Sequence, residues 1–534
     1  SARASTREAD GPNGGGASSA SRSRPRSARV QRRNSATPLS LKVKNYFSPP
    51  LLKTPAAFAR PLHLRLLPHD EMTIDTVALL HVAAGSIGGA TALTTMADAE
   101  LGARALALAS RVERKKRYDL APLCAALVPH ANSSGAATGK LLDKYVHVAR
   151  PLLDADEGDF DLEVPLVAAW DAAGRAAVPI VRLCRLCAVH LFALAYLKEG
   201  DVQTGRLFAE AALEDAIEAR SMQLCHSACL SLAFVLWEQG GLLEAGHLFS
   251  YALSVSHDLA DAAGARYMQG ALAATAAMLA REAGEEALWQ QAAQLAAASR
   301  IPAIEAFVLL RQPAPPRADV DRALALLDDE EHCPTEQCWY NFLVTYAHTQ
   351  ALVALLRMGA TPSTPAFVQE LLRRRARALV GKLRASAEQW VVLRPRALLF
   401  EGELDALIGA TGAAHSSLVS AHALAVDGEL DLLKAQVARA RSLCAPPSSY
   451  KRSLRLREAS ELYERLELCA DAMACEREMA AHGGPTREPI PPRGPAQSEQ
   501  YGDLDQMLRR ALAHSAAPVS LSLIHISEPT RRTP

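Results

Sequence analysis

The chain has 534 residues with 58 basic and 58 acidic side chains, and the zero net charge argues against a globally basic nucleic-acid binder while leaving local basic patches open. Apolar residues make up 49%, too many for a wholly disordered chain, and the 5% aromatic content beside abundant alanine favours close-packed helices over sheets. No apolar run reaches the ~18 residues a membrane span needs, ten scattered cysteines do not make a disulfide scaffold, and the length suits roughly three or four domains or one long repeat array.

The sequence opens at Ser1 and its first methionine is Met72, which reads as a frame cut from a longer one. Residues 1–69 are rich in Ser, Arg, Gly and Pro, with Arg22, Arg24, Arg26, Arg29, Arg32 and Arg33 in one acid-free stretch. The expectation is a disordered basic linker or translated untranslated sequence. A transit peptide shares this bias, and a basic arm for nucleic acid or acidic lipid is a third reading.

From Asp70 apolar residues recur at three- and four-residue spacing, without β-branched alternation, which predicts helices of 12 to 20 residues. The helical stretch divides into repeats over 70–311, a Pro-rich interruption at 312–320, and further repeats over 321–482. Gly85-Ser-Ile-Gly88-Gly89 is not a dinucleotide fingerprint. Gly135-Ala-Ala-Thr-Gly139-Lys140 has three residues between its glycines instead of four and lacks the following Ser or Thr, so it reads as an interhelical loop.

Cys184-x-x-Cys187 with His190 is the sharpest local constellation. Such a pair can be redox-active or ligate zinc. Here the stretch is helical throughout and lacks a second ligand pair, so the cysteines read as small core residues on one helix face. Cys225, His226 and Cys229 read likewise. His332, Cys333, Cys338 and His348 match no metal-finger spacing. Asp328 to Glu331 reads as a solvated acidic turn, and Arg373, Arg374, Arg375 and Arg377 as a charged helical face, with a partner's acidic patch or an upstream body as the alternative.

An internal repeat is the most informative feature. Aligned on Gly200 and Gly240, two segments share a period of 40 residues. Small residues stand seven before the turn (Ala193, Ala233), five after it (Gly205, Ala245) and twelve after it (Ala212, Ala252). Gly402, Gly409, Ala414 and Ala421 repeat the register, and Ala277, Gly284 and Ala296 do so with Trp289 at the remaining position. Small residues there let two antiparallel helices approach closely, and larger apolar residues fill the groove to the next hairpin. The pattern resembles tetratricopeptide repeats, without their usual first-helix Trp or terminal Pro. The expected fold is therefore all-α: a tetratricopeptide-like α-solenoid of antiparallel helix hairpins with disordered terminal segments. A long concave face would bind a protein or peptide, or upstream domains of the same protein.

Further on, Arg394-Pro395-Arg396 opens a segment that continues Ala-Leu-Leu-Phe-Glu-Gly402 and reaches Gly409, followed by Ala414, Ala421 and Ala423. With the repeats upstream, roughly residues 170–480 resemble the C-terminal helical-repeat tail of soluble-type adenylate/guanylate cyclases. In that family an Arg-Pro-Arg sequence opens a hairpin whose first helix carries a glycine and ends at one. The resemblance implies class III cyclase domains and a P-loop ATPase upstream. None of their motifs stands in this chain, so it implies a regulatory or scaffolding part and carries over no catalytic residue.

Residues 483–520 read as a Pro-rich flexible tail with one weak helix near Leu504 to His514. Leu521 to Arg531 resembles a translated transposase sequencing adapter, so 521–534 is expected to be an artefact without fold or function. The sequence expectation is a non-catalytic scaffold with no cofactor, metal, nucleic-acid or membrane site, in the cytoplasm, with organelle targeting open. A free-standing scaffold subunit of a larger complex is the alternative, and a redox enzyme using Cys184 and Cys187 is the third.

Overall fold

The computed structural model describes residues 180–218, 222–258, 262–280, 285–312, 315–327, 342–359, 366–481 and 505–512, with scattered positions between 104 and 115. Among the described residues there is no strand. The helices are α1 (Ile180–Glu199), α2 (Val202–Glu218), α3 (Met222–Gln239), α4 (Leu242–Asp258), α5 (Ala262–Leu279), α6 (Glu286–Ser299), α7 (Pro302–Arg311) and α8 (Arg317–Leu326). They continue with α9 (Phe342–Gly359), α10 (Ala366–Gln389), a 3-10 turn (Val391–Leu393), α11 (Arg394–Leu407), α12 (Thr411–Asp427), α13 (Asp431–Ser442), α14 (Tyr450–Arg465), α15 (Cys469–Ala481) and the short α16 (505–512). Neighbouring helices pack in pairs, and the architecture is an all-α solenoid.

One turn design recurs along it. Gly200 ends α1 at φ +84°, its N–H bonds Leu197 O at 3.1 Å, and the N–H of Asp201 bonds Tyr196 O at 3.0 Å. This pair of bonds satisfies carbonyls that a helix end otherwise leaves orphaned, and a left-handed glycine closes it without strain. Asp201 Oδ1 then accepts the N–H of Thr204 at 3.1 Å and caps α2. The same two backbone bonds recur at Gly240, Gly409, Glu429 and Glu467.

Around these turns the small residues lie inside the helix packing. Ala193, Ala233, Ala277, Ala245, Ala252, Ala414, Ala421 and Ala296 are buried, as are Gly205, Ala212 and Gly402. A Cβ on Gly205 would come within 2.8 Å of Leu197, and one on Gly402 within 2.6 Å of Leu418. The missing side chains are what let the two helices of each hairpin touch. Trp289 takes the bulky place in the third hairpin and is itself 6% exposed. Gly284 lies outside the described residues.

The structure contains a further unit that the sequence pattern did not reveal. Glu467 stands at the turn with φ 61°, Ser460 lies seven before it, Ala472 five after and Met479 twelve after, all three buried. Ser460 Oγ approaches Ala472 O at 3.5 Å, the same close crossing as in the glycine-turned hairpins.

The first helices of the second and third hairpins, α3 and α5, are apolar on nearly every side, which marks buried elements. Helices α3 and α5 are buried along nearly their whole length. They face the helices of the second half: α3 packs on α13, and α5 on α9 and α15. Trp237 of α3 meets Phe342 and Tyr346 of α9, with ring centroids 6.5 and 5.7 Å apart. The expected long open concave face is therefore filled between α3, α5, α9 and α13 by the chain's own side chains.

Helix α8 begins at Arg317, directly after Pro316, so the break in the helical run is shorter than the expected 312–320. Pro302 and Pro395 each sit in a first helical turn, where a missing N–H costs nothing. Among the described residues no helix is long and apolar enough to cross a membrane. The expected disordered segment 1–69, the tail outside 505–512 and the adapter-like 521–534 lie outside the described residues.

Candidate functional site: an arginine-lined cavity on the inner face

Where α7, α9, α11, α13, α14 and α15 converge, the inner packing leaves a cavity of about 280 Å³. The residues that line it include Arg311, Arg357, Arg439 and Arg477, the carboxylates Glu403 and Asp471, and Tyr346, Gln350, Gln436 and Tyr463. Four guanidinium groups against two carboxylates give the wall an excess of positive charge.

Each group is set by its helix. Arg311 closes α7 and grips Asp471 of α15 through two hydrogen bonds, one from Nη1 to Oδ1 at 2.7 Å and one from Nη2 to Oδ2. Burial works against the Arg311 charge, but Asp471 outweighs it and holds the guanidinium pKa above its usual value. Arg439 of α13 lies 3.6 Å from Asp471 and bonds Glu478 through Nε at 3.2 Å. Arg357 of α9 pairs with Glu403 of α11 at 2.5 Å. Arg477 is exposed at the rim.

Two tyrosines complete the wall. Gln436 donates to the Tyr346 hydroxyl at 3.0 Å, and that hydroxyl donates in turn to Met278 Sδ at 3.4 Å. Burial pushes the Tyr346 phenol up to about 12, and burial with the nearby Asp471 raises Tyr463 as well, so both stay protonated donors near neutral pH. The Nε–H groups of Arg311 and Arg357 are buried without an acceptor. The lining carries more cationic than anionic side chains, which suits oxygen acceptors of a negatively charged group. Arg311, Arg357 and Arg439 are held by Asp471, Glu403 and Glu478, and the lining residues pair no nucleophile with a base.

The predicted hairpin opener lands beside this cavity. Arg394 is exposed, Pro395 is buried, and Arg396 projects inward. The Arg396 guanidinium pairs with Glu238 at 2.5 Å, donates to Gln436, and lies 5.0 Å from the Tyr346 ring centroid. Only Arg396 of the three is placed to act on the site.

The other predicted candidates lie elsewhere. Cys187 and His190 of α1 and Cys225, His226 and Cys229 of α3 are buried, as the core reading expects. Burial pushes the Cys225 and Cys229 thiols up, away from the thiolate that redox or metal chemistry needs. Cys184 falls on α1, and its side chain is outside the described residues. His348 lies on α9, away from the cavity lining. His332, Cys333, Cys338, Asp328 to Glu331, Gly85 to Gly89 and Gly135 to Lys140 are outside the described residues. Among the described residues no three His, Cys, Asp or Glu side chains cluster as a metal site. On α10, Arg375 Nη1 donates to Leu327 O at 2.8 Å and closes the end of α8, while Arg373 stands 3.9 Å from Glu370.

Sequence reasoning did not find Arg311, Arg357, Arg439, Tyr463 or Asp471. The available signal was local: a lone polar residue on an otherwise apolar helix face, as Arg357 is within the run Val353-Ala-Leu-Leu-Arg-Met. No protein-family model matches the chain, and no curated protein matches it.

Proposed function

We propose that this chain is a non-catalytic helical-repeat scaffold of tetratricopeptide type, whose inner cavity takes the carboxylate oxygens of an acidic protein segment. The observation that carries the reading is the excess of arginine over carboxylate in the cavity wall, with the protonated Tyr463 beside it. The small-residue register supports the repeat type. The Arg394-Pro-Arg hairpin, with Arg396 turned inward, supports the role of regulatory tail in a soluble adenylate/guanylate cyclase-like protein.

The test is fluorescence anisotropy with a labelled Asp/Glu-rich twelve-residue peptide and the full chain. Arg477→Glu reverses the charge of an exposed rim residue that is not a member of the Arg311–Asp471, Arg357–Glu403 or Arg439–Glu478 pairs. The expected result is saturable binding, weakened roughly tenfold by that change, which corresponds to about 1.4 kcal/mol. Absence of binding, or equal binding by the variant, overturns the acidic-segment reading. The cyclase role is tested by reading the native transcript upstream: a class III cyclase frame supports it, and a frame without one defeats it.

A further inference from the structure

The short helix α16 (505–512) is seated against the first half of the solenoid. Asp505 accepts a 2.9 Å hydrogen bond from Gln291 Nε2 of α6. Met507, Leu508 and Ala511 are buried at 6%, 0% and 2% exposure, while Gln506, Arg509 and Arg510 face solvent. The apolar positions i, i+1 and i+4 form one helical stripe.

The receiving surface contains a glycine that the hairpin register does not call for. Gly246 is buried in the second turn of α4, one residue past the register position Ala245. A Cβ on Gly246 would meet only Thr275 Cγ2 at 3.4 Å and Met507 Cε at 3.8 Å, both ordinary contacts. Neither its backbone geometry nor the α4–α5 crossing therefore demands glycine, which is the poorest helix former after proline. The bare backbone of Gly246 lies against Met507.

Helix α16 has eight residues, too few to be stable alone in water. It is joined to α15 through residues 482–504, which include five prolines. A short helix held by three apolar anchors and one hydrogen bond gains from being part of the same chain, which makes its docking intramolecular. A separate helix of the same pattern competes on equal chemical terms and adds no strain to the solenoid.

We propose that the Gly246–Gln291 groove of α4–α6 is a docking site for a short amphipathic helix. The occupant has an acidic residue two positions before a large apolar pair and a small residue four after the first of that pair. The chain's own 505–512 segment fills the site in cis, and a partner helix with this pattern displaces it. The inference is independent of the arginine-lined cavity.

The experiment uses the full chain and a fluorescein-labelled peptide of residues 501–514 (Tyr501 to His514). Leu508→Asp releases the tail, so this variant should bind the peptide at least tenfold more tightly than wild type. Adding Gly246→Leu fills the space of Met507 and should abolish the gain. Failure of Leu508→Asp to bind, or equal binding by the double variant, overturns the docking site. Binding to wild type as tight as to Leu508→Asp overturns occupation in cis. Should Leu508→Asp fail to fold, as read by circular dichroism, hydrogen exchange on the wild-type chain decides. Excess heavy-isotope peptide should strip protection from Met507 to Leu512, and unchanged protection overturns the proposal.

Discussion

The guanidinium of Arg396 lies 2.5 Å from the carboxylate of Glu238, 158 residues earlier, with both side chains under a tenth exposed. This pair joins α11 to α3 and so ties the two halves of the solenoid across its interior. Removing one partner of a buried pair leaves an uncompensated charge, which costs about 3–5 kcal/mol. Glu238→Gln should therefore lower unfolding stability by that order in urea. Glu238→Met with Arg396→Met should cost less than the sum of the two single changes. Additive losses would show that the two residues do not act as a pair.

Two turn glycines separate backbone strain from contact between the halves. Gly409 has φ +86° and nothing within 4 Å of a would-be Cβ, so Gly409→Ala meets only the left-handed penalty, about 1–2 kcal/mol. Gly240 has φ +88°, and its Cβ would also come within 2.5 Å of Leu466. Gly240→Ala should cost more than Gly409→Ala, and the excess should shrink when Leu466→Ala is added. Equal costs in urea titrations of the two alanine variants would show that the Leu466 contact contributes nothing.

These turns also show how much of the fold was legible in the sequence. Gly200, Gly240 and Gly409 announced their hairpins because glycine is the usual left-handed terminator, and the flanking small residues fixed the crossing. Glu467 adopts the same conformation at φ 61°, but a glutamate carries no such signal, so the Ser460–Ala472–Met479 unit was hidden. The cavity was hidden for another reason. Arg311, Arg439 and Asp471 come from three helices and meet only through the closure of the inner layer, which depends on tertiary packing and leaves no periodicity along the chain. The cysteine and histidine clusters stood out in sequence because their residue types are rare, and in the fold those described are largely core side chains.

Arg300 is a non-glycine residue at φ 55° between α6 and α7, with its N–H bonded to Ala297 O at 3.2 Å. Arg300→Gly removes the clash of a Cβ in the left-handed region but frees more unfolded conformations. Strain relief of about 1–2 kcal/mol exceeds the entropic loss of about 0.5–1 kcal/mol, so a small net gain is expected. The thermal midpoint should rise slightly, and a clear fall would place a stabilising role on the Arg300 side chain.

His348 on α9 has its pKa lowered to about 4, first by burial and then by the nearby Lys382 and Arg375. The unfolded chain takes up this proton near pH 6.5 and the folded chain only near 4. Protons therefore favour the unfolded state between these values, and stability should fall as pH drops from 6.5 to about 4, levelling off below for this group. Glu478 behaves differently. Burial raises its carboxyl, but Arg439 and Arg357 outweigh this and leave its pKa depressed, so its contribution is lost at lower pH as it protonates. His348→Gln should flatten the upper window alone. Parallel pH profiles for wild type and His348→Gln would rule out this histidine as the source.

Thiol reactivity separates a core role from a redox one. Burial raises the Cys225 thiol, raises Cys229 further with Cys225 beside it, and pushes Cys475 up to about 12. A thiol attacks as thiolate, so these three should label slowly with an aromatic disulfide reagent at pH 8 in the folded chain. Denaturant exposes them and returns their pKa toward 8.5, and labelling should then finish at the rate of a free cysteine. The difference in rate reports two effects at once, the thiolate fraction and access. Repeating the native reaction at pH 9 separates them: an exposed but protonated thiol speeds up with pH, whereas a buried one waits on local opening and changes little. Fast native labelling of Cys225 or Cys229 would contradict their burial in α3 and favour a redox role over the scaffold reading.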